Sequence, residues 1–371
     1  MTIGEDREMW FPEPSRDDGS AAHRGEPTAD WLKRSTHPRA KAARRFLNEN
    51  LRALPPEHQP TLYRMLRERW HSAFFELIVG RTLQTLGATI QVEPGGANDI
   101  RVDFVAHFPD GIVAVEAISP IFGSEVGETV KRRNPLLDIV ESESPPDLWV
   151  MVSSLPDLGP QDSRKRFRST VRKLLAEAQA VGSYPVDIAE DLPEGTVSLT
   201  LVKKGAEVSS GRSVGIEPAL TTWDDTDQRV RRAVARKRRQ GREVVGPALI
   251  AVHATGIASS YEEVDMALFG RDVTTVDSSR QVMSTGFEPD GVFTSGSGEP
   301  TWAAALAFLN VGFLGGPDPV LYLHPRFRGQ LPGALLTLER RRYDAEAEAI
   351  VTDKPMTTDV LSELGFVSRN I

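Results

Sequence analysis

The sequence predicts an α/β protein, and three observations lead there. Short runs rich in Val, Ile and Phe alternate with segments whose apolar residues recur at helical spacing. Between Trp70 and Ser153 these segments follow the order helix, strand, strand, strand, helix, strand. Beyond Thr196, strand-like and helix-like stretches alternate again as far as about Pro332.

Residues 1–39 are polar, with Pro, Gly and mixed charges, and read as a flexible arm. Two helical segments follow from Ala40. Residues 70–86 carry apolar side chains at helical spacing, and Gly87 is placed to end that helix. Thr89–Val92 is a short strand. Residues 100–118 form two apolar arms around Pro109-Asp110-Gly111, the pattern of a β-hairpin with Asp110-Gly111 at positive φ. A helix is expected over residues 125–140 and a buried strand over 148–153. A Pro/Gly linker (155–160) and an amphipathic helix to about Val181 come next. Later strands are expected at 197–202, 248–252 and 320–323, with helices around Arg231, Glu262 and Ala304. The expected division is an arm (1–39), a helical lead-in with a core (40–190), and a C-terminal α/β region (191–371).

Two acids interrupt the apolar hairpin. If Asp110-Gly111 is the loop, Val105 faces Glu116 and Asp103 faces Ile118. Asp103 and Glu116 are then diagonal neighbours on one face, and a one-residue slip would part them. Ionised carboxylates in apolar strands are costly and repel one another. A hard cation such as Mg2+ or Mn2+ takes oxygen ligands and offsets that repulsion. The other reading is a solvated hairpin face with two surface acids. Upstream, Glu76 lies between Phe75 and Leu77 in the most apolar stretch of its helix.

The element order, with an acid in the first helix, an Asp in the second strand and a Glu in the third, resembles the PD-(D/E)XK nuclease superfamily, the restriction-endonuclease-like fold. The resemblance runs from about Thr61 to Ser153. It implies an αβββαβ core with a C-terminal α/β extension, Glu76, Asp103 and Glu116 as catalytic and metal-binding acids, and Mg2+ or Mn2+ as cofactor. In that superfamily a lysine two residues after the glutamate orients or activates the attacking water, and here Ile118 takes its place. Val102 likewise replaces the proline before the aspartate. Among nine lysines in the chain, two are candidates to substitute. Lys131 is nearest in sequence, in the helix after Glu116. Lys237 falls at i+7 from Val230, on an apolar stripe with Ala233 and Val234. Each also reads as a surface lysine with its stem along the protein. Ala-Leu-Phe-Gly (267–270) and Leu-Tyr-Leu-His-Pro-Arg (321–326) resemble a bacterial family of restriction-endonuclease-like proteins, without indicating a substrate.

Composition narrows the function classes. The 371 residues are 40% hydrophobic and 26% charged, ordinary globular proportions. No apolar run approaches the roughly 20 residues of a membrane span, and no signal-peptide pattern is present at the start, so a cytoplasmic location away from membranes is expected. With no cysteine, thiol catalysis and Cys-based zinc sites are excluded, and the seven histidines are scattered singly. No phosphate-loop, dinucleotide or nucleophile-elbow motif is found.

The net charge of −8 disfavours a general nucleic-acid coating protein. Local charge differs. Residues 229–242 hold eight Arg or Lys and no acid, and Arg229, Arg232, Arg236 and Arg239 are the expected nucleic-acid contacts. Arg164, Lys165, Arg166, Arg168, Arg172 and Lys173 form a second cluster. Both clusters also fit helix faces paired with acids elsewhere. The expected function is Mg2+-dependent hydrolysis of DNA, with a homodimer among the expected assemblies. The alternative is a catalytically inactive nuclease-fold protein that binds nucleic acid or a protein partner.

Overall fold

The structure, a computed structural model, describes residues 10–20, 22–92, 102–120, 124–158, 161–205, 213–216, 226–237, 246–255, 260–276, 282–295, 298–313, 315–354 and 359–366. The chain is mixed α/β, as its patterning predicts, and divides into two units. One comprises Met1–Arg16, Leu32–Ile121 and Asp224–Ile371, and the other Asp17–Trp31 and Phe122–Trp223. Helix α1 (Thr28–Arg34) comes first in the chain.

In the first unit, α2 (Pro38–Ala53), α3 (Gln59–Glu68) and α4 (Trp70–Thr85) precede β1 (Thr89–Val92), β2 (Phe104–Phe108) and β3 (Gly111–Ile118). The second unit contributes α5 (Ser124–Glu143), β4 (Leu148–Ser154), α6 (Gln161–Val181), β5 (Val186–Leu192), β6 (Gly195–Lys203) and β7 (Val214–Ile216). The chain then returns to the first unit with α7 (Thr226–Arg236), β8 (Ala248–Ala254), α8 (Tyr261–Leu268), β9 (Arg271–Val276) and β10 (Val282–Glu288). Strands β11 (Ala304–Leu309), β12 (Val320–Leu323), β13 (Arg340–Asp344) and β14 (Ala349–Asp353) complete it. Its main sheet has the order β1-β2-β3-β8-β11-β12-β13-β14, beside a β9–β10 ribbon, and the second unit has its own sheet, β5-β6-β4-β7.

Three expectations are corrected here. The sequence order places strand 148–153 at the close of the core sheet, but β4 pairs with β6 and β7 in the second unit, and β8 lies parallel to β3. Side-chain pattern explains the exchange. Strand β8 is buried at every residue, as a central strand covered on both faces must be. In β4 only Leu148, Val150 and Val152 are buried, and these pack with Phe167, Val171 and Leu174 of α6. The segment 122–223 thus enters between β3 and α7, and the boundary expected near residue 190 falls inside β5. The helix expected around Ala304 is strand β11, whose Ala-rich run is buried between β8 and β12. Ala favours helices in isolation, but a continuous apolar run in a central strand overrides propensity.

Described residues of the expected flexible arm also pack. Phe11 is buried, and its N–H and C=O pair with the side chain of Asn48. Arg24 donates to the Val214 carbonyl at 2.7 Å and meets Glu141 at 3.2 Å, within the second unit. A few anchoring side chains hold an otherwise polar segment.

In the first unit, helices cover both faces of the main sheet. Phe75 of α4 stacks on His253 of β8, 4.9 Å between ring centroids, and packs edge-on to Phe308 of β11. Gly80 lets α4 approach closely, since a Cβ there would lie 3.1 Å from the Phe104 ring. On the other face Val230 and Val234 of α7 pack with Ile118, Ile250 and Val252.

Candidate active site

The turn of the hairpin differs from expectation, and the difference brings the acids closer in register. Phe108 pairs with Gly111 and Phe104 with Val115, so Pro109 and Asp110 occupy the corners. Neither Asp110 nor Gly111 takes a positive φ. Proline at the first corner and glycine at the fourth position suit a type I turn, which needs no left-handed residue. The register moves by two residues, so every side chain keeps its face. Extended by one step, the ladder sets Asp103 opposite Glu116 rather than diagonal to it. Asp103 reinforces the pairing directly, its Oδ2 accepting the Ala117 N–H at 2.7 Å.

Glu116 sits in an interior strand, between β2 and β8, and is 1% exposed. It pairs with Ile250, so it lies on the sheet face that α7 covers. Lys237, the first residue beyond α7, places its Nζ 2.5 Å from Glu116 Oε1. The i+7 spacing from Val230 therefore aims the amine inward. Ile118, at the position of the missing lysine, packs with Val230 and Val234 and forms part of the seat for the helix that delivers Lys237.

The carboxyl of Asp103 is pushed well above the usual carboxylate range. Burial is the largest cause, followed by the negative charges of Glu116 and Glu76, while the Ala117 N–H and Lys237 pull the other way. Glu76 therefore stands near enough to act on Asp103. It is buried in α4, and His58 Nε2 lies 3.1 Å from its Oε1. Sequence reasoning missed His58. The only signal for it was that a buried glutamate needs a partner.

Among the described residues no group of three or more His, Cys, Asp or Glu side chains is arranged to hold a metal ion. His58 Nε2 lies beside Glu76, and Lys237 Nζ meets Glu116. The negative charges of Glu116 and Glu76 both act on the buried Asp103, and Lys237 offsets them in part. Lys131 lies in α5, in the other unit, and its side chain falls outside the described residues.

A second polar pair flanks the site on the α4 face. Ser119, just past β3, lies with its Oγ 3.1 Å from Nδ1 of His253. Burial first, then neighbouring His71, lowers the His253 pKa from 6.5 to about 4. His253 thus stays neutral near pH 7 and ties the ends of β3 and β8 together.

The expected nucleic-acid contacts divide. Arg229 is buried, and its guanidinium donates to the carbonyls of Pro120 and Thr255 and to Thr226 Oγ1. It is correspondingly withdrawn from the phosphate-binding role expected for it. Buried loop carbonyls need donors, and a five-donor fork near a helix start supplies them. Arg231 is half-buried, meeting Asp290 and the Met266 carbonyl. Arg232 and Arg236 are exposed. Arg239 lies outside the described residues. In the second unit, Arg168 and Arg172 pair with Glu143, and Lys173 with Glu190.

No described helix is long and apolar enough to cross a membrane. Comparison of the chain with protein-family models, with curated proteins and with solved structures yields no match.

Proposed function

We propose that this protein is a divergent PD-(D/E)XK-type, divalent-metal-dependent phosphodiesterase acting on nucleic acid, with Glu116, Asp103 and Lys237 at its centre. The observation that carries the reading is the 2.5 Å pairing of Lys237 with Glu116. An amine from a different element reaches the glutamate of a hairpin whose own lysine position is apolar. Asp103 and Glu116, with Glu76 beside them, would hold Mg2+ or Mn2+, which when bound polarises a phosphate and lowers the pKa of a water.

The chain's own residues have separable tasks. Asp103 and Glu116 supply hard oxygen donors on one face of a rigid hairpin. Glu76, with His58 beside it, would add negative charge toward a bound cation. Lys237 pairs with Glu116, and its ammonium would orient the attacking water or balance charge on the phosphate. Exposed Arg232 and Arg236 on the same helix would meet the phosphate backbone.

The test is cleavage of single- and double-stranded DNA and RNA with Mg2+ or Mn2+. Wild type should cleave at least one of them. Asp103→Asn should lose cleavage and metal binding together, whereas Lys237→Met should lose cleavage by about 100-fold or more, as expected for a proton-transfer partner, and keep most metal binding. If Lys237→Met cleaves as well as wild type, the lysine assignment is wrong.

A second reading, a catalytically inactive protein that binds nucleic acid or a partner protein, is favoured by the direct closure of Lys237 on Glu116, which can serve as a fixed structural ion pair. Absence of cleavage on every substrate, with calorimetry detecting no Mn2+ binding, would select it.

A further inference from the structure

Resting on that reading, we propose that Arg229 is a positioning residue: it sets the placement of α7 so that Lys237 meets Glu116. Arg229 is a buried cation of the first unit, and its described hydrogen bonds are directional. Its Nη1 donates to the Pro120 carbonyl at 3.0 Å, just past β3. Its Nη2 donates to the Thr255 carbonyl at 2.9 Å, just past β8, and to Thr226 Oγ1 at 2.7 Å. One guanidinium thus joins the start of α7 to the ends of the two central parallel strands, one of which carries Glu116.

The mechanical argument follows from helix geometry. Arg229 and Lys237 are eight residues apart, about 12 Å along a helix rising 1.5 Å per residue. A slip of one residue would rotate Lys237 by about 100° around the axis and carry its amine off Glu116. Val230, Ala233 and Val234 seat the helix face-down, but apolar contact is non-directional and specifies axial placement weakly. Fixed hydrogen bonds supply that missing coordinate. The Ser119–His253 pair ties the same strand ends from the opposite face, so the points to which Arg229 bonds are themselves held.

The experiment follows Lys237 itself rather than turnover. In the full chain without added metal, lysines are labelled briefly with an amine-acylating reagent and quantified by mass spectrometry. Lys237 should react slowly in wild type and about tenfold faster in Glu116→Gln, which removes its charge-assisted partner. Arg229→Gln should raise the Lys237 rate to a similar extent, while hydrogen exchange in α4 and β8 stays as in wild type. Thr226→Val, a milder variant that loosens the guanidinium without deleting it, should give an intermediate rate and covers the case in which Arg229→Gln does not fold. Arg229→Lys should fail to restore protection, because one ammonium cannot span both carbonyls and the hydroxyl. A Lys237 rate unchanged in Arg229→Gln, or in Thr226→Val should the first not fold, would overturn the proposal. So would a drop of about 1 in the log–log salt slope of DNA binding in Arg229→Gln, the mark of a lost phosphate contact. Because labelling needs no substrate, an inactive protein would defeat the nuclease reading, and the Lys237 rates would still decide the role of Arg229. Where cleavage is measured, Arg229→Gln should lower kcat and leave KM within about twofold, as loss of a transition-state alignment does.

Discussion

Asp103 shows how a single side chain is held against its own preference. Burial and the charges of Glu116 and Glu76 raise its pKa, so the fold favours the neutral acid. The stability this contributes is fully present below the ordinary carboxylate pKa of about 4. It is lost as pH rises through the elevated folded value. In metal-free protein, Asp103→Asn should therefore be more stable than wild type at pH 7, by about 1 kcal/mol, the usual gain on relieving a strained functional site. That gain should shrink toward zero as pH falls to about 4. Denaturant unfolding of both proteins across this range checks it, and a constant difference would show that Asp103 does not titrate there. Asn can still accept the Ala117 N–H, so the hairpin contact survives the change.

Helix α7 carries opposite duties on its two sides. Arg229, Val230, Ala233 and Val234 face inward, and Arg231 reaches Asp290 and the Met266 carbonyl. Arg232 and Arg236 remain exposed. A sequence count of positive charges cannot separate these groups, because both kinds of arginine contribute equally to a basic run. If DNA binds this face, replacing Arg232 and Arg236 together with Gln should lower the log–log salt slope of binding by about 2, near 0.9 for each phosphate contact removed. Fluorescence anisotropy over a salt series measures it, and an unchanged slope would place the nucleic acid elsewhere. The hairpin was more legible than the helix. Its register moved by two residues, yet period-2 alternation kept Asp103 and Glu116 on one face, so the central inference survived an incorrect turn.

At the scale of the molecule, the second unit joins chain segments far apart in sequence. Glu141 of α5 accepts the N–H groups of Ser213 and Val214, and Arg24 bonds both Glu141 and the Val214 carbonyl. Strand β7 is thereby tied to α5 and to a segment from the chain's N-terminal part. Replacing Arg24 with Ala should loosen this arrangement at a cost of about 2 kcal/mol, since Glu141 would lose a partly buried charge partner. Hydrogen exchange should quicken in residues 214–216 while β8 keeps its protection, and protection unchanged in 214–216 would show that Glu141 alone suffices.

The sequence by itself determined the α/β class, the hairpin, and the shared face of Asp103 and Glu116, and it named Lys237 as one of two lysine candidates. Each follows from local periodicity, which the chain carries wherever it folds. Only the tertiary structure decided that β8 rather than β4 adjoins β3, that Ala304–Leu309 is a strand, that Arg229 serves carbonyls and that His58 partners Glu76. Those outcomes depend on which distant segments meet. Strand pairing and the satisfaction of buried polar groups are settled between elements, where sequence separation carries no distance information.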